Sequence, residues 1–457
     1  MRTLPFVLVA VVLGSTVSLA CSSNPAPTPT ADTPSLSGVF PSSAFLARSA
    51  DVLLSGFATN FSPAATVDFG AGVTVKSVSV SSPTALVASI EVDATAAEGP
   101  RDVTVTDGAQ KYTLKAAFSL QSPTVVTARG TLAQGSVLTV SVVNRDPSTP
   151  FDTTAVQSLL SQTYLGVKLD TLPPGVAAGV TSVTSDEIVV NLETDVQLAP
   201  GKLQLTLLSG TDPSAQIKFP FTLDVAARTA TPLVAGVPAQ VDLATPFASG
   251  LYSLTSTATQ IVELAVTSSS PTAQPAAVVL PTSGKFADAY GVGTDLFFVP
   301  SNGDTLYGVV MDGSGDTKAP ISLLATTTTL SSTAAEAASN DTAPTAQVIG
   351  SLPFVMTGGT LSSGGDLDWL VYTAGTSDVG KSFVVATAPG DPRTDTVVDV
   401  IRASNMSSLG GPSADSSFLD VLVSAPIPAA GNYYIQISAS SFFDPSHSSY
   451  QAIVLVR

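Results

Sequence analysis

From Leu36 onward the chain alternates apolar and polar residues in short runs that break at Gly, Pro, Ser and Asp. The stretch "ATVDFGAGVTVKSVSVSSPTALVASIEV" (residues 65–92) alternates β-branched and polar residues between turn signals. A period of two is the mark of a strand with one face buried. "PRDVTVTDGAQKYTLKAAFSL" (residues 100–120) alternates on both sides of Asp107 and Gly108, which predicts a hairpin closed there. Several short strands at regular spacing predict a β-sandwich over residues 36–121.

After Pro123 the pattern resumes in "GSVLTVSVVNRD", "DEIVVNLETDVQLAPGKLQLTLLSG" and "QIKFPFTLDV", a second, immunoglobulin-like sandwich over residues 122–230. Between these runs "TTAVQSLLSQTYL" (residues 153–165) predicts one short helix inserted among the strands. The last part of the chain carries an internal repeat. "SGLYSLTST" corresponds to "LDWLVYTAG", and "GDTLYGVVMDGSGDTKAPISLL" corresponds to "AGNYYIQISASSFFDPSHSSYQAIVLV". Self-similarity of this kind predicts two copies of one sandwich, over 231–335 and 336–457. The expected class is all-β: tandem β-sandwich domains, immunoglobulin-like first and jelly-roll-type afterwards.

Composition agrees with this pattern. Hydrophobic residues are 44% of the 457, ample for packed cores, while charged residues are only 12%. Ser, Thr, Val, Gly and Pro favour strands and turns over long helices. The net charge of −17 repels nucleic acid phosphates and anionic lipid, and it attracts cations, calcium among them.

Ahead of the strands stands "LPFVLVAVVLG" (residues 4–14), an apolar run preceded by Arg2. It has the length of a signal-peptide core and is short of the ~20 residues that span a bilayer. Small residues follow, then Ala20 and Cys21, the one cysteine of the chain. The segment resembles a bacterial lipoprotein signal, in which a lipidated cysteine becomes the mature N-terminus. Ala20 and Cys21 match that pattern, whereas Ser18 stands where an aliphatic residue is usual; Ser18-Leu19-Ala20 also suits an ordinary signal peptidase. The expectation is a signal peptide over 1–20 and a lipid on Cys21. With no second cysteine there is no intrachain disulfide. "SSNPAPTPTADTPS" then reads as an extended tether, with Pro25, Pro27, Pro29 and Pro34 excluding helix and sheet. Ser22 after the cysteine suggests, by the same resemblance, anchoring to the bacterial outer membrane, with a secreted protein as the alternative.

"GVFPSSAFLARSADVLLSGFATNFSPAATVDFGAGVTV" and "ALVASIEVDATAAEGPRDVTVT" resemble the IPT/TIG family of immunoglobulin-like domains through Leu53, Gly56, Phe57, Phe69, Gly70, Ala97, Gly99, Val103 and Val105. Residues 336–457 resemble the bacterial pre-peptidase C-terminal domain through Asn340, Asp341, Gly358, Asp366, Asp368, Trp369, Asp395, Gly431, Tyr433, Tyr434 and Tyr450. The 231–335 segment is a diverged relative, with Gly250, Leu251 and Tyr252 where the later copy has its paired aspartates. In some members of that family calcium sits where the lead-in segment meets the sandwich. The resemblance implies Glu336, Asn340, Asp341, Asp366 and Asp368 as its ligands here. Carboxylates and carbonyls on a turn supply the six to eight oxygens calcium takes. The plain alternative is a solvated hairpin mouth in which the aspartates serve turn geometry.

No catalytic constellation stands out. His447 is the one histidine, in "FFDPSHSSYQ", and reads as a solvated loop residue. There is no GxSxG elbow and no phosphate-binding glycine loop. "DGSGD" (residues 312–316) lacks the loop of an EF-hand and reads as a turn. Trp369, Tyr372, Tyr433 and Tyr434 are candidates for a carbohydrate-binding face, although strand alternation sends about half of such residues into the core. The expected function is a non-catalytic envelope lipoprotein that binds, adheres or spaces. The alternatives are a calcium-stabilised polysaccharide-binding protein or adhesin, and an accessory subunit of a secreted hydrolase. The expected partners are the membrane, through the lipid, and a protein or polysaccharide of the envelope.

Overall fold

The computed structural model describes residues 32–157, 162–243, 248–314, 320–389, 394–413, 420–440 and 448–457. Among them are strands and three short 3-10 turns, and no α-helix. The strands pair off into four sandwiches in sequence.

The first sandwich holds β1 (Ser35–Phe40), β2 (Ser43–Phe45), β3 (Ser49–Phe57) and β4 (Thr66–Asp68). It is completed by β5 (Val73–Ser82), β6 (Ala85–Val92), β7 (Gly99–Asp107) and β8 (Gln110–Gln121). Its sheets run β1-β3-β6-β5 and β2-β8-β7-β4. The alternation read along residues 85–92 is a burial alternation: Leu86, Ala88, Ile90 and Val92 are buried against Val52, Leu54, Phe69 and Phe118. The β7–β8 hairpin closes with Asp107 opposite Gln110, and Gly108 takes the positive φ of 57° that the tight turn requires. The Asp107 carboxylate accepts hydrogen bonds from the amide and hydroxyl of Ser62.

The second sandwich holds β9 (Thr124–Ala128), β10 (Ser136–Asn144), β11 (Ala155–Gln157), β12 (Gln162–Tyr164) and β13 (Val167–Leu169). β14 (Val176–Val183), β15 (Glu187–Thr194), β16 (Gly201–Ser209) and β17 (Ile217–Val225) follow. Its sheets are β14-β15-β10-β9 and β13-β16-β17, with β11 and β12 as a separate antiparallel pair. That pair corrects the helix expected over 153–165. Thr153, Thr154 and Val156 on one side, and Thr163 and Tyr164 on the other, are β-branched or aromatic and favour extended backbone.

The third sandwich holds β18 (Thr231–Pro232), β19 (Ala239–Val241), β20 (Ser249–Thr255), β21 (Gln260–Ser268) and β22 (Pro275–Leu280). β23 (Gly291–Gly293), β24 (Asp295–Phe298), β25 (Thr305–Asp312) and β26 (Ile321–Thr329) complete it. The fourth holds β27 (Ser332–Ala335), β28 (Gln347–Val348), β29 (Phe354–Thr360), β30 (Leu367–Ala374) and β31 (Phe383–Pro389). It ends with β32 (Thr396–Arg402), β33 (Ser407–Ser408), β34 (Val421–Val423), β35 (Gly431–Ala439) and β36 (Ser449–Val456).

These two sandwiches share one topology. The third has sheets β18-β20-β25-β22-β23 and β19-β26-β21-β24; the fourth has β28-β30-β35-β32-β33 and β27-β29-β36-β31-β34. Each strand of the third has a counterpart ten places on, with the first pair of one sheet parallel in both copies. Only β27 is additional. The repeat seen in the sequence therefore falls on equivalent strands, β20 with β30, β25 with β35 and β26 with β36.

Neighbouring sandwiches are joined by specific contacts. Arg48 of the first reaches Asp146 of the second at 2.9 Å, the Lys218 carbonyl at 2.7 Å and the Thr149 hydroxyl at 3.0 Å, and lies 4.6 Å over the Phe219 ring. Arg228 joins the second to the third by donating to the backbone carbonyls of Gln134, Gly135 and Ser249. Beside it Phe286 donates its amide to Asp195, and Leu251, Val278, Leu280 and Val309 pack with Val137 and Val196. The third and fourth meet through the outer faces of equivalent sheets, where Ile261 and Phe297 pack on Val355, Val384, Ala386, Ile453 and Leu455.

Candidate functional site

The acidic residues singled out in the sequence lie where the lead-in segment of the fourth sandwich crosses from one sheet to the other. β27 runs beside β29, and β28 runs beside β30 in the opposite sheet. The chain between them carries Glu336, Asn340 and Asp341.

Asp368 sits on β30 in phase with Leu370 and Ala374, so alternation turns it into the core, where it is buried. Tyr450 of β36, fully buried in the facing sheet, donates its hydroxyl to Asp368 Oδ2. Glu336 follows β27, bonds its amide to the Thr357 carbonyl at 3.0 Å, and accepts from the Thr360 hydroxyl at 3.1 Å. Its carboxyl also meets that of Asp368, and two carboxyls in contact need a proton between them. Burial, then the Glu336 carboxyl, pushes Asp368 up to about 8, against the pull of the Tyr450 hydroxyl. Burial and the Asp368 charge drive the Tyr450 phenol well above its ordinary value.

The other expected ligands are placed differently. Asp366 accepts the amides of Ser362 at 2.6 Å and Leu367 at 3.0 Å. Burial works against its charge, but these bonds hold its carboxyl below the ordinary range. Asn340 is buried and gives its backbone carbonyl to the Trp369 amide at 2.8 Å, while its side-chain Nδ2 is buried without a hydrogen-bond partner. Asp341 is exposed. Glu336 and Asp366 thus both act on Asp368, while Asp341 is exposed. Among the described residues no three His, Cys, Asp or Glu side chains are gathered as a metal-binding group. Cys21 and His447 lie outside the described residues.

The four aromatic candidates divide. Tyr433 is buried and donates to the Ala429 carbonyl at 2.7 Å; Tyr372 donates to Asp378 at 3.0 Å. Trp369 points away from the core, yet is covered, its ring edge-on to Tyr434 at 5.7 Å and its Nε1 buried without a partner. Tyr434 remains half-buried on the outer face.

Sequence reasoning did not find Tyr450 as the partner of Asp368. The available signal was phase: an aspartate two positions before an inward Leu370 had to be neutralised from the facing sheet. It also missed two open clefts. One, of about 600 Å³, lies between the first and second sandwiches and is lined by residues 94–98 with Lys202, Gln204 and Phe221. The other, of about 550 Å³, lies in the second sandwich beside Tyr164, Leu169, Ala178 and Val180.

Residues 34–118 match the family described as quinohemoprotein amine dehydrogenase, alpha subunit domain III. That stretch is the one whose pattern resembles IPT/TIG domains, and the match covers the first sandwich alone. The search of curated proteins finds no match. Among solved structures, domains 5–6 of the S-layer protein SbsC are 14% identical, covering 43% of this chain and all of that one, with a TM-score of 0.15. The tandem immunoglobulin domains A164-A165 of titin are 14% identical over 43% of this chain and 99% of that one, TM-score 0.14. A Bacteroides ovatus glucan utilization locus protein, solved with a mixed-linkage heptasaccharide, is 12% identical over 62% of this chain and 76% of that one, TM-score 0.15. The sheet topology makes the chain a tandem array of β-sandwiches.

Proposed function

We propose that this chain is a non-catalytic envelope lipoprotein, held to the outer membrane by a lipid on Cys21, whose four sandwiches form a jointed strut that spaces and binds. The observation that supports it is the set of three built junctions. Arg48 with Asp146, Arg228 with three carbonyls, and an apolar face between the last two sandwiches each fix one unit on the next. A strut needs such joints; freely linked domains do not. The partner is a protein or polysaccharide of the envelope, for which the two open clefts are the available concave surfaces. The charge of −17 argues against nucleic acid.

Intact-mass analysis of the mature N-terminal peptide, with Cys21→Ser in parallel, tests the anchor. A lipid mass on Cys21 and loss of the variant from the membrane fraction support it. An unmodified peptide and an unchanged distribution remove it. Small-angle scattering of the Cys21→Ser chain tests the strut: a profile of independent beads on flexible links would overturn it.

A second reading rests on the paired acids of the fourth sandwich. Burial and the neighbouring Glu336 keep Asp368 protonated beside Asp366, and calcium binding would take that proton's place, with Asp366 and Asn340 as further oxygen donors. In this reading the protein is a calcium-stabilised adhesin or polysaccharide binder. A rise in melting temperature with millimolar calcium, lost in Asp366→Ala, supports it. The same melting curve with calcium and with chelator removes it.

A further inference from the structure

The contact between the third and fourth sandwiches carries a polar group at the edge of its apolar face, where Arg457 is half exposed and Glu263 largely covered. Glu263 on β21 and Asp295 on β24 belong to the third sandwich; Arg457, just past β36, belongs to the fourth. Arg457 Nη1 lies 2.7 Å from Glu263 Oε2, and Thr326 of β26 donates to the same oxygen at 3.1 Å. Asp295 approaches Glu263 closely enough for a carboxyl-to-carboxyl hydrogen bond, and its Oδ1 is buried without a donor. Around them stand Ile261, Phe297, Val355, Val384, Ala386, Ile453 and Leu455.

The charge count decides what this group does. Two carboxyls face one guanidinium, so one carboxyl must be protonated for the set to be neutral. The groups acting on Asp295 are Glu263 from β21 and Arg457 from the fourth sandwich. β26 offers the neutral Thr326, and β29, β31 and β36 offer apolar side chains. We infer that the joint between the third and fourth sandwiches is held by a single proton shared between Glu263 and Asp295 beside Arg457. The joint is tightest in acid and loosens as the pH rises toward neutrality.

Electrostatics gives the range. Burial, then the Glu263 charge, pushes Asp295 up to about 6, while Arg457 outweighs burial and keeps Glu263 below its ordinary value. A carboxyl whose closed-state value is raised favours the closed state most at low pH, and that preference is lost as pH rises through about 6. Once the joint opens, Asp295 meets water and returns to the ordinary carboxylate range. The opening equilibrium therefore increases about tenfold between about pH 5 and about pH 7.5.

Hydrogen exchange on the full chain, corrected for intrinsic rates, tests this at those two pH values. The amides of β24 and β36 are expected to be about tenfold better protected at the lower pH. Asp295→Asn, which replaces the shared proton with an amide hydrogen, is expected to keep the higher protection at both. Arg457→Ala removes the cation that favours ionisation and moves the loosening to higher pH. Equal protection of the wild-type chain at both pH values overturns the inference. So does an unchanged pH dependence in Asp295→Asn, or a shift to lower pH in Arg457→Ala.

Discussion

Arg48 and Asp146 lie 98 positions apart in the chain and meet at 2.9 Å across the boundary of two sandwiches, each largely shielded from water. Burial works against the Asp146 carboxylate, but hydrogen bonds from Ser148, Arg48 and Thr149 outweigh it and hold its carboxyl below the ordinary range. Arg48→Ala takes the cation from that carboxylate, which keeps only Ser148 and Thr149, and the donor from the Lys218 carbonyl, and is expected to cost about 3 kcal/mol. Arg48→Lys keeps the charge but loses the fork and the stacking on Phe219, so it recovers only part. Denaturant unfolding of both variants, with proteolysis between the first two sandwiches as the local readout, checks the order wild type, Lys, Ala.

Arg228 makes a different joint, since it bonds carbonyls and no carboxylate. Burial lowers it to about 10, which leaves it charged at neutral pH. Arg228→Lys offers one ammonium to three carbonyls from two sandwiches and is expected to cost about 1–3 kcal/mol through the bonds it cannot make. A melting profile in which the first two sandwiches and the last two separate into distinct transitions is the expected readout.

The raised carboxyl of Asp368 predicts a pH slope. Asp368 is raised to about 8 in the folded chain. Its contribution to stability is complete below the ordinary carboxylate value and is lost as pH climbs through about 8. The melting temperature is therefore expected to fall from about pH 5 to about pH 9, with Asp368→Asn flattening the part of the slope that belongs to this group. An identical slope in wild type and variant would exclude the proton as its source.

Gly359 bears on the same buried pair, Tyr450 and Asp368. A Cβ there would come 2.7 Å from Cζ of Tyr450, a ring buried too completely to step aside. Gly359→Ala is expected to cost about 1–3 kcal/mol by overpacking and to displace the hydroxyl that Asp368 accepts. Ultraviolet titration of the tyrosines, in which Tyr450 moves toward ordinary behaviour in the variant, distinguishes this from a loss of packing alone.

What the sequence made legible is what depends on neighbours along the chain. The alternation over residues 85–92, the Asp107-Gly108 turn and the repeat of β25 in β35 are all local patterns, and all are visible before folding. The helix expected over 153–165 gives way to β11 and β12 because β-branched and aromatic residues stand at both ends of the stretch, with residues 158–161 outside the described residues. Of the acidic set around Glu336, the resemblance named Asp368 but did not place it in the core: it is no solvated turn residue, and its partner Tyr450 stands 82 residues away on the facing sheet. The junctions were illegible for the same reason. Glu263 and Arg457 are 194 positions apart, and neither carries a motif that names the other.

The packing of equivalent sheets between the last two sandwiches has a consequence for how the chain can be cut. A single copy released by a protease near residue 331 would carry Ile261 and Phe297, or Val384 and Ile453, bare on its surface. Such a fragment invites aggregation, because the patch was shaped for its own duplicate. Shedding that leaves soluble products must therefore release the two copies as one piece, and truncation experiments should keep or remove them together.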